Sequence, residues 1–257
     1  MGLEILGLLA ASAGASYGWW KLQQRRERKF FLDIPRDPDL EVVMSVAQHE
    51  ASSRGHAYLW SLHLMHGLAQ DENFVAAIGK LDGDATKFEN HVQDELDKRK
   101  SSHDEEAQQE GARVVGYAFA ASRAQGRATT ITDVWARLAR TPSAKAAAAA
   151  AGFDAVALLF VLVHGMREPS TELPDRTDVH IVLRNDDHTT QEFVVALLRD
   201  VFDHNDEDAT TKMLETHRQG RTVVGRYKLA AAHDKVATAR RRAREADFPL
   251  WIGVEDC

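Results

Sequence analysis

The residues of this 257-residue chain whose types and spacing suit chemistry are Asn185-Asp186-Asp187 and, further on, Met213 and His217. An amide, a carboxylate and an imidazole together offer the charge and the acceptors that hold a cation with several donors. Each also has an ordinary reading. Asp186 and Asp187 suit an Asx turn or a cap, His217 suits an exposed helix end, and Met213 suits a core. A second cluster, His49, His56, His63 and His66, invites a metal reading. His63 and His66 share a helix face, but no paired cysteine or clear acid partner accompanies them, so no metal and no cofactor are assigned. A phosphate-cradling Gly-x-x-x-x-Gly-Lys-Ser/Thr loop is absent from the sequence, and so is a Gly-x-Ser-x-Gly nucleophile elbow. The chain is therefore expected to bind rather than catalyse.

The elements around these residues follow from pattern. Val179 to Leu183 alternates and is rich in β-branched residues, which predicts a strand that Asn185-Asp186-Asp187 ends. Thr189 with Glu192 reads as a capping box, so a helix is expected to begin there. Phe193, Val194, Leu197, Leu198, Val201 and Phe202 continue it at helical spacing. A second helix is expected from Asn205 or Asp206 to Gln219, stopped by Gly220. Met213 and His217, four apart, lie on one face of it. Thr222 to Tyr227 and Leu250 to Val254 read as strands, separated by a long helix from Ala230 to Ala246.

Taken in order, these elements resemble the ClpS adaptor family. The likeness rests on Asn185-Asp186-Asp187 after a strand, Met213-Leu214-x-x-His217 on a helix, Gly220-x-x-x-x-Gly225 at a hairpin and the closing Pro249-Leu250. The resemblance implies a small α+β domain with a three-stranded antiparallel sheet. It also implies that Asn185, Asp186 and His217 hold the α-amino group of a substrate protein's free N-terminus. Such an ammonium needs a carboxylate and further acceptors, because an unpaired buried charge is costly. The matching positions for the first side chain's pocket are Thr189, Val194, Met213, Thr216 and Leu250, with Gln191 at the rim. Three departures stand out: Gln191 replaces a rim methionine, Thr216 replaces a lining valine, and Thr189-Thr190 replaces Thr-Pro. They predict a more polar rim and wall, and a preference shifted toward smaller or more polar first residues. Lys235 is kept on the face that family members dock on their partner, a Clp-type AAA+ ATPase, whereas Ala230 and His233 replace acids there.

The middle of the chain repeats itself. Leu40 to Leu68 matches Gly111 to Ala139 at an offset of 71 residues, with Val43 against Val114, Ala47 against Ala118 and Gly55 against Gly126. Each copy predicts a helix, a Gly-centred turn and a second helix, and stacked units of this kind share a core. The layout resembles the double repeat of Clp ATPase N-terminal domains, with Leu62-His63-Leu64-Met65 and Asp133-Val134-Trp135-Ala136 at its core motif. The alanine-rich run from Ala144 to Ala151 reads as helix.

Ile5 to Trp20 is uncharged, close to the lower limit of about 17 residues for a membrane span. Tyr17, Trp19 and Trp20 suit an interfacial belt, and Lys21, Arg25, Arg26, Arg28 and Lys29 follow. This order predicts a single-pass anchor with the N-terminus outside and the body on the cytoplasmic face. The lone Cys257 permits no internal disulfide, and the formal charge of −7 points away from nucleic acid. The expected organisation is an anchor helix with a basic flank at 1–32, a Clp-N-like all-α domain at 33–168, a linker at 169–178 and a ClpS-like domain at 179–257. The expected function is a membrane-tethered adaptor that delivers protein substrates to a Clp-type AAA+ protease. A second reading keeps the fold as a regulator that binds a Clp component without reading N-termini. The short linker raises the effective concentration of one half at the other to about the millimolar range. This favours docking of the halves on each other, or recruitment of the partner through the helical half.

Overall fold

The computed structural model describes residues 36–56, 58–99, 105–170 and 177–257. The expected anchor at 1–32 and most of the expected linker, 171–176, lie outside the described residues. Among the described residues no single helix is long and apolar enough to cross a membrane.

The first half is all helical: α1 (Pro38–Ser53), α2 (Ser61–Ala69), α3 (Glu72–Gly79), α4 (Ala85–Lys98), α5 (Glu105–Ala124), α6 (Ile131–Leu138), α7 (Pro142–Ala150) and α8 (Ala155–His164). The repeat extends beyond the pairs read from sequence, into two units of four helices. N-caps recur 70 residues apart: Trp60 and Thr130 before α2 and α6, Asp71 and Thr141 before α3 and α7, Asp84 and Asp154 before α4 and α8. The left-handed turn residues Asp82 and Gly152 keep the same offset. The turn glycines Gly55 and Gly126 stand 71 apart, both left-handed at φ +70° and +69°. The first unit's turn is thus one residue longer than the second's. Short polar side chains cap most of these starts because each first turn leaves donors that only an oxygen acceptor satisfies.

One apolar core runs through both units. Trp60, Phe74, Phe88 and Trp135 are fully buried in it. The Trp135 indole N–H donates to the Ala155 carbonyl at 3.0 Å, so its polar edge is satisfied. Of the four histidines, His56 and His63 bond each other, while His66 bonds Gln93 at 2.8 Å. The His63 Nδ1 accepts from the Trp60 backbone N–H and its Nε2 lies 2.9 Å from His56 Nδ1. The ring therefore carries its proton on Nε2 and caps α2. Burial pushes its pKa down to about 4.

The second half is α+β: β1 (Asp178–Arg184), α9 (Gln191–Phe202), α10 (Asp206–Gln219), β2 (Arg221–Lys228), α11 (Leu229–Glu245) and β3 (Trp251–Asp256). The strands form one antiparallel sheet in the order β2-β1-β3. Val179, Ile181 and Leu183 alternate onto the helical face, where they share a core with Val194, Leu198, Met213, Val236 and Ile252. Val182 points the other way, yet it is fully buried, because it joins Trp251 against Phe160 of α8. The helical half therefore covers the outer face of the sheet.

Further contacts tie the halves together. His164 donates from Nε2 to the Pro249 carbonyl at 2.8 Å, and Lys145 pairs with Asp247 at 2.9 Å. Gln125 donates to the Asp187 carbonyl at 3.0 Å, and Arg127 approaches the Asp187 carboxylate at 3.5 Å. The linker joins in as well: the Pro169 carbonyl accepts from Arg240, and Glu168 pairs with Arg244.

Candidate functional site

The loop after β1 is positioned from both ends. The Asn185 backbone N–H donates to the Gly220 carbonyl at 2.8 Å. Gly220 is left-handed at φ +79°, the conformation that lets α10 stop and β2 begin at once. This bond sets Asn185 and Asp186 against the end of α10, one turn beyond His217. The bond joins positions 35 apart, Asn185 and Gly220.

Within the loop, Asp186 acts first as a turn residue. Its Oδ1 accepts from the backbone N–H groups of His188 and Thr189, at 2.8 and 2.6 Å, and its Oδ2 accepts from the Thr189 hydroxyl at 2.8 Å. A carboxylate has about four lone-pair sites. Asp186 therefore keeps a site on Oδ2 beyond those its own loop uses. The Asn185 side chain and the exposed His217 ring make no hydrogen bond among the described residues. Asp186 Oδ2, the Asn185 amide and the His217 ring thus each keep hydrogen-bonding capacity that the described residues do not use.

The expected start of α9 shifts by one residue. Thr190, not Thr189, is its N-cap and accepts from the Phe193 N–H at 3.3 Å. Thr189 is instead taken by Asp186, whose charge is the stronger acceptor for its hydroxyl. Gln191 is exposed at the first turn of α9. Val194, Met213 and Leu250 are buried together in the domain's core. Thr216 is also buried, but its hydroxyl donates to the Lys212 carbonyl one turn back, at 2.8 Å. The expected polar wall is corrected on this point: the Thr216 hydroxyl is spent on its own helix.

Lys235 is engaged inside the domain. Its ammonium donates to the Val201 carbonyl and pairs with Asp203 at 2.8 Å, between the rings of Phe202 and Tyr227. There it caps the end of α9, where Asp203 turns left-handed.

Sequence reading passed over the residues of the helical half that reach the site's loops. Gln125 and Arg127 hold the loop of Asp187, while Arg140 lies over the Phe248 ring at 5.2 Å. Phe248 in turn packs on Phe193 with centroids 4.9 Å apart. One signal was present in the sequence. Ile181-Val182-Leu183 is a continuous apolar run, which marks a strand buried on both faces. His188, beneath this contact, is pushed below the ordinary histidine range by burial, against the nearby carboxylates of Asp133 and Asp186.

Comparison with known proteins agrees with this architecture. The family model described as "ATP-dependent Clp protease adaptor protein ClpS" matches residues 175–253, and that for the Clp repeat (R) N-terminal domain matches residues 37–133. The ATP-dependent Clp protease adapter protein ClpS of Acetivibrio thermocellus is 46% identical over 75 residues, covering 29% of this chain and 76% of that protein. Its counterpart in Wolinella succinogenes is 39% identical over 77 residues, covering 30% and 76%. A solved structure, that of Agrobacterium tumefaciens ClpS2 bound to L-phenylalaninamide, shares 33% identity, with a TM-score of 0.30 over 31% of this chain and 95% of that one. Through its C-terminal third the chain belongs to the ClpS family, and its helical half carries a Clp repeat N-terminal domain.

Proposed function

We propose that this protein is an adaptor that binds the free N-terminus of substrate proteins and hands them to a Clp-type AAA+ protease. The observation that carries the reading is the bond from the Asn185 N–H to the Gly220 carbonyl, which holds the Asn185-Asp186 loop at the end of the helix that bears His217. The α-amino group sits among Asn185, Asp186 and His217. The first side chain enters between Gln191 at the rim and Val194, Met213, Thr216 and Leu250. No bond is made or broken in this role. The uncharged run before Lys21 tethers the chain to the cytoplasmic face of a membrane in the same proposal. Recovery of the full chain in the soluble fraction after a carbonate wash would remove that part.

Peptides with a bulky first residue, free or acetylated at the N-terminus, test the site when titrated into the full chain. Removing one partner of a buried hydrogen-bonded charge costs about 2–5 kcal/mol, so acetylation is expected to weaken binding well over tenfold. His217→Ala is the cleaner variant, because the exposed ring supports nothing else in the fold. It is expected to lower affinity while shifting stability by less than about 0.5 kcal/mol. Asp186→Ala weakens binding further but also releases the loop that Asp186 holds.

One observation favours the second reading, a regulator that does not select N-termini. Most of the acceptor capacity of Asp186 is committed to its own loop, and the helical half grips the next residue, Asp187. Equal affinity for free and acetylated peptides would establish it.

A further inference from the structure

The helical half opens into a basic cleft of about 620 Å³, walled by Arg99, Arg113, Arg137 and Arg140 with Glu110 and Tyr117, and Arg140 on its rim also touches the second half. Arg113, Arg137 and Arg140 against Glu110 stand out in a chain whose formal charge is −7. Arg137 is half-buried and has no hydrogen bond or ion pair among the described residues. Burial, and then the neighbouring Arg140, disfavours its charge. Asp133 offsets this only in part, and an anion arriving in the cleft would offset more of the cost of burying that charge. Tyr117 is 61% exposed at the same cleft and offers an aromatic surface to a passing chain.

The cleft's position says what that anion belongs to. Arg140 lies over Phe248, and Phe248 packs on Phe193, the neighbour of the pocket residue Val194. These two contacts join the cleft's rim to the first turn of α9, beside Gln191. We propose that the cleft of Arg113, Arg137 and Arg140 binds acidic side chains of the substrate polypeptide a few residues after its N-terminus, so that the two domains read one extended degron. The inference rests on the adaptor reading above and adds the chemical class of the segment that follows the first residue.

Three peptides that share a bulky first residue and carry glutamates, serines or lysines from the fourth residue onward decide it, each free or acetylated, on the full chain. The glutamate peptide is expected to bind at least tenfold tighter than the serine peptide and the lysine peptide more weakly, with the preference shrinking as salt rises. Arg137→Ser is expected to cut the glutamate-over-serine preference at least tenfold. Arg113→Glu, at an exposed position, is expected to invert the preference. Equal affinity for the three free peptides overturns the inference and leaves N-terminal recognition standing. A glutamate preference that persists unchanged on acetylation supports the cleft and overturns N-terminal recognition instead.

Discussion

The two four-helix units of the helical half solve one local problem with different residues. Both need an acceptor at the third position of their second helix to satisfy the N–H of the cap. The first unit uses His63 on Trp60. The second uses Asp133 on Thr130, at 2.8 Å. The consequences diverge. His63 is neutral and bonds His56, so it needs no counter-charge. Asp133 is 2% exposed and charged, so it requires a counter-charge and takes Arg127 in a bidentate pair at 2.7 and 2.8 Å. Arg127 then extends to Asp187 in the ClpS domain. Arg54, beside the first unit's turn, instead pairs with Glu50 and Asp97 inside its own unit. A buried carboxylate recruits a long cation, and the long cation reaches a neighbour. The repeat that faces the other domain is the one that carries the charge.

The largest test removes that charge. Asp133→Ala strands Arg127 and the Thr130 N–H, and is expected to cost about 3 kcal/mol in urea unfolding, the scale of breaking one partner of a buried pair. Asp133→His places the first unit's residue in the second and is expected to recover the cap but not the Asp187 contact. If Asp133→Ala costs no more than a surface substitution, the comparison is wrong.

Acidification separates the units by sign and range. Folded His63 has a pKa of about 4 against an ordinary 6.5, so the unfolded chain takes up the proton first. The stability from neutral His63 is complete above pH 6.5 and is lost as pH falls from 6.5 toward 4. That loss approaches about 3 kcal/mol at its limit. Burial alone would raise the Asp133 pKa, but Arg127 and the Thr130 N–H hold it below the ordinary aspartate value. Its contribution is present above that value and is lost only at lower pH. His63→Gln is expected to flatten unfolding free energy between pH 4 and 6.5, while Asp133→Asn leaves that window unchanged.

Gly111→Ala probes how the units pack. A Cβ there would overlap the Leu59 carbonyl across the contact between α5 and the start of α2. Overpacking of this kind is expected to cost about 1–3 kcal/mol in thermal unfolding. Gly116→Ala, on the same helix with open space around it, is expected to be neutral or stabilising. The smallest effect belongs to the outer link. Asp187→Ala is expected to change global stability by less than about 1 kcal/mol, since the pair is half-exposed. It is also expected to raise hydrogen exchange in residues 185–189, which would show the link acting on the site loop.

The joining of the Asn185-Asp186 loop to the end of α10 was legible because both lie at the ends of strongly patterned elements, with Gly220 marking where α10 must stop. The placement of Thr189 and Thr190 was not, since either hydroxyl suits a cap and only the neighbouring carboxylate decides between them. The role of Thr216 was hidden for a similar reason: a hydroxyl at helical spacing serves a pocket or its own backbone equally well in sequence. Lys235 looked free for a partner because Asp203 lies 32 residues away and enters its reach only through the fold.

By itself the sequence determined the alternation of β1, the helical periods, the polar caps and the repeat at an offset of 70 to 71 residues, because these depend on neighbours within a turn or two. Only the tertiary structure decided that the second helical unit lies against the loops of the candidate site, with Gln125 and Arg127 on Asp187 and Arg140 on Phe248. Those contacts join residues 60 to 108 positions apart through single side chains on exposed faces. Such faces carry no period, so the physical information about them exists only once the core of each half has fixed where its surface points.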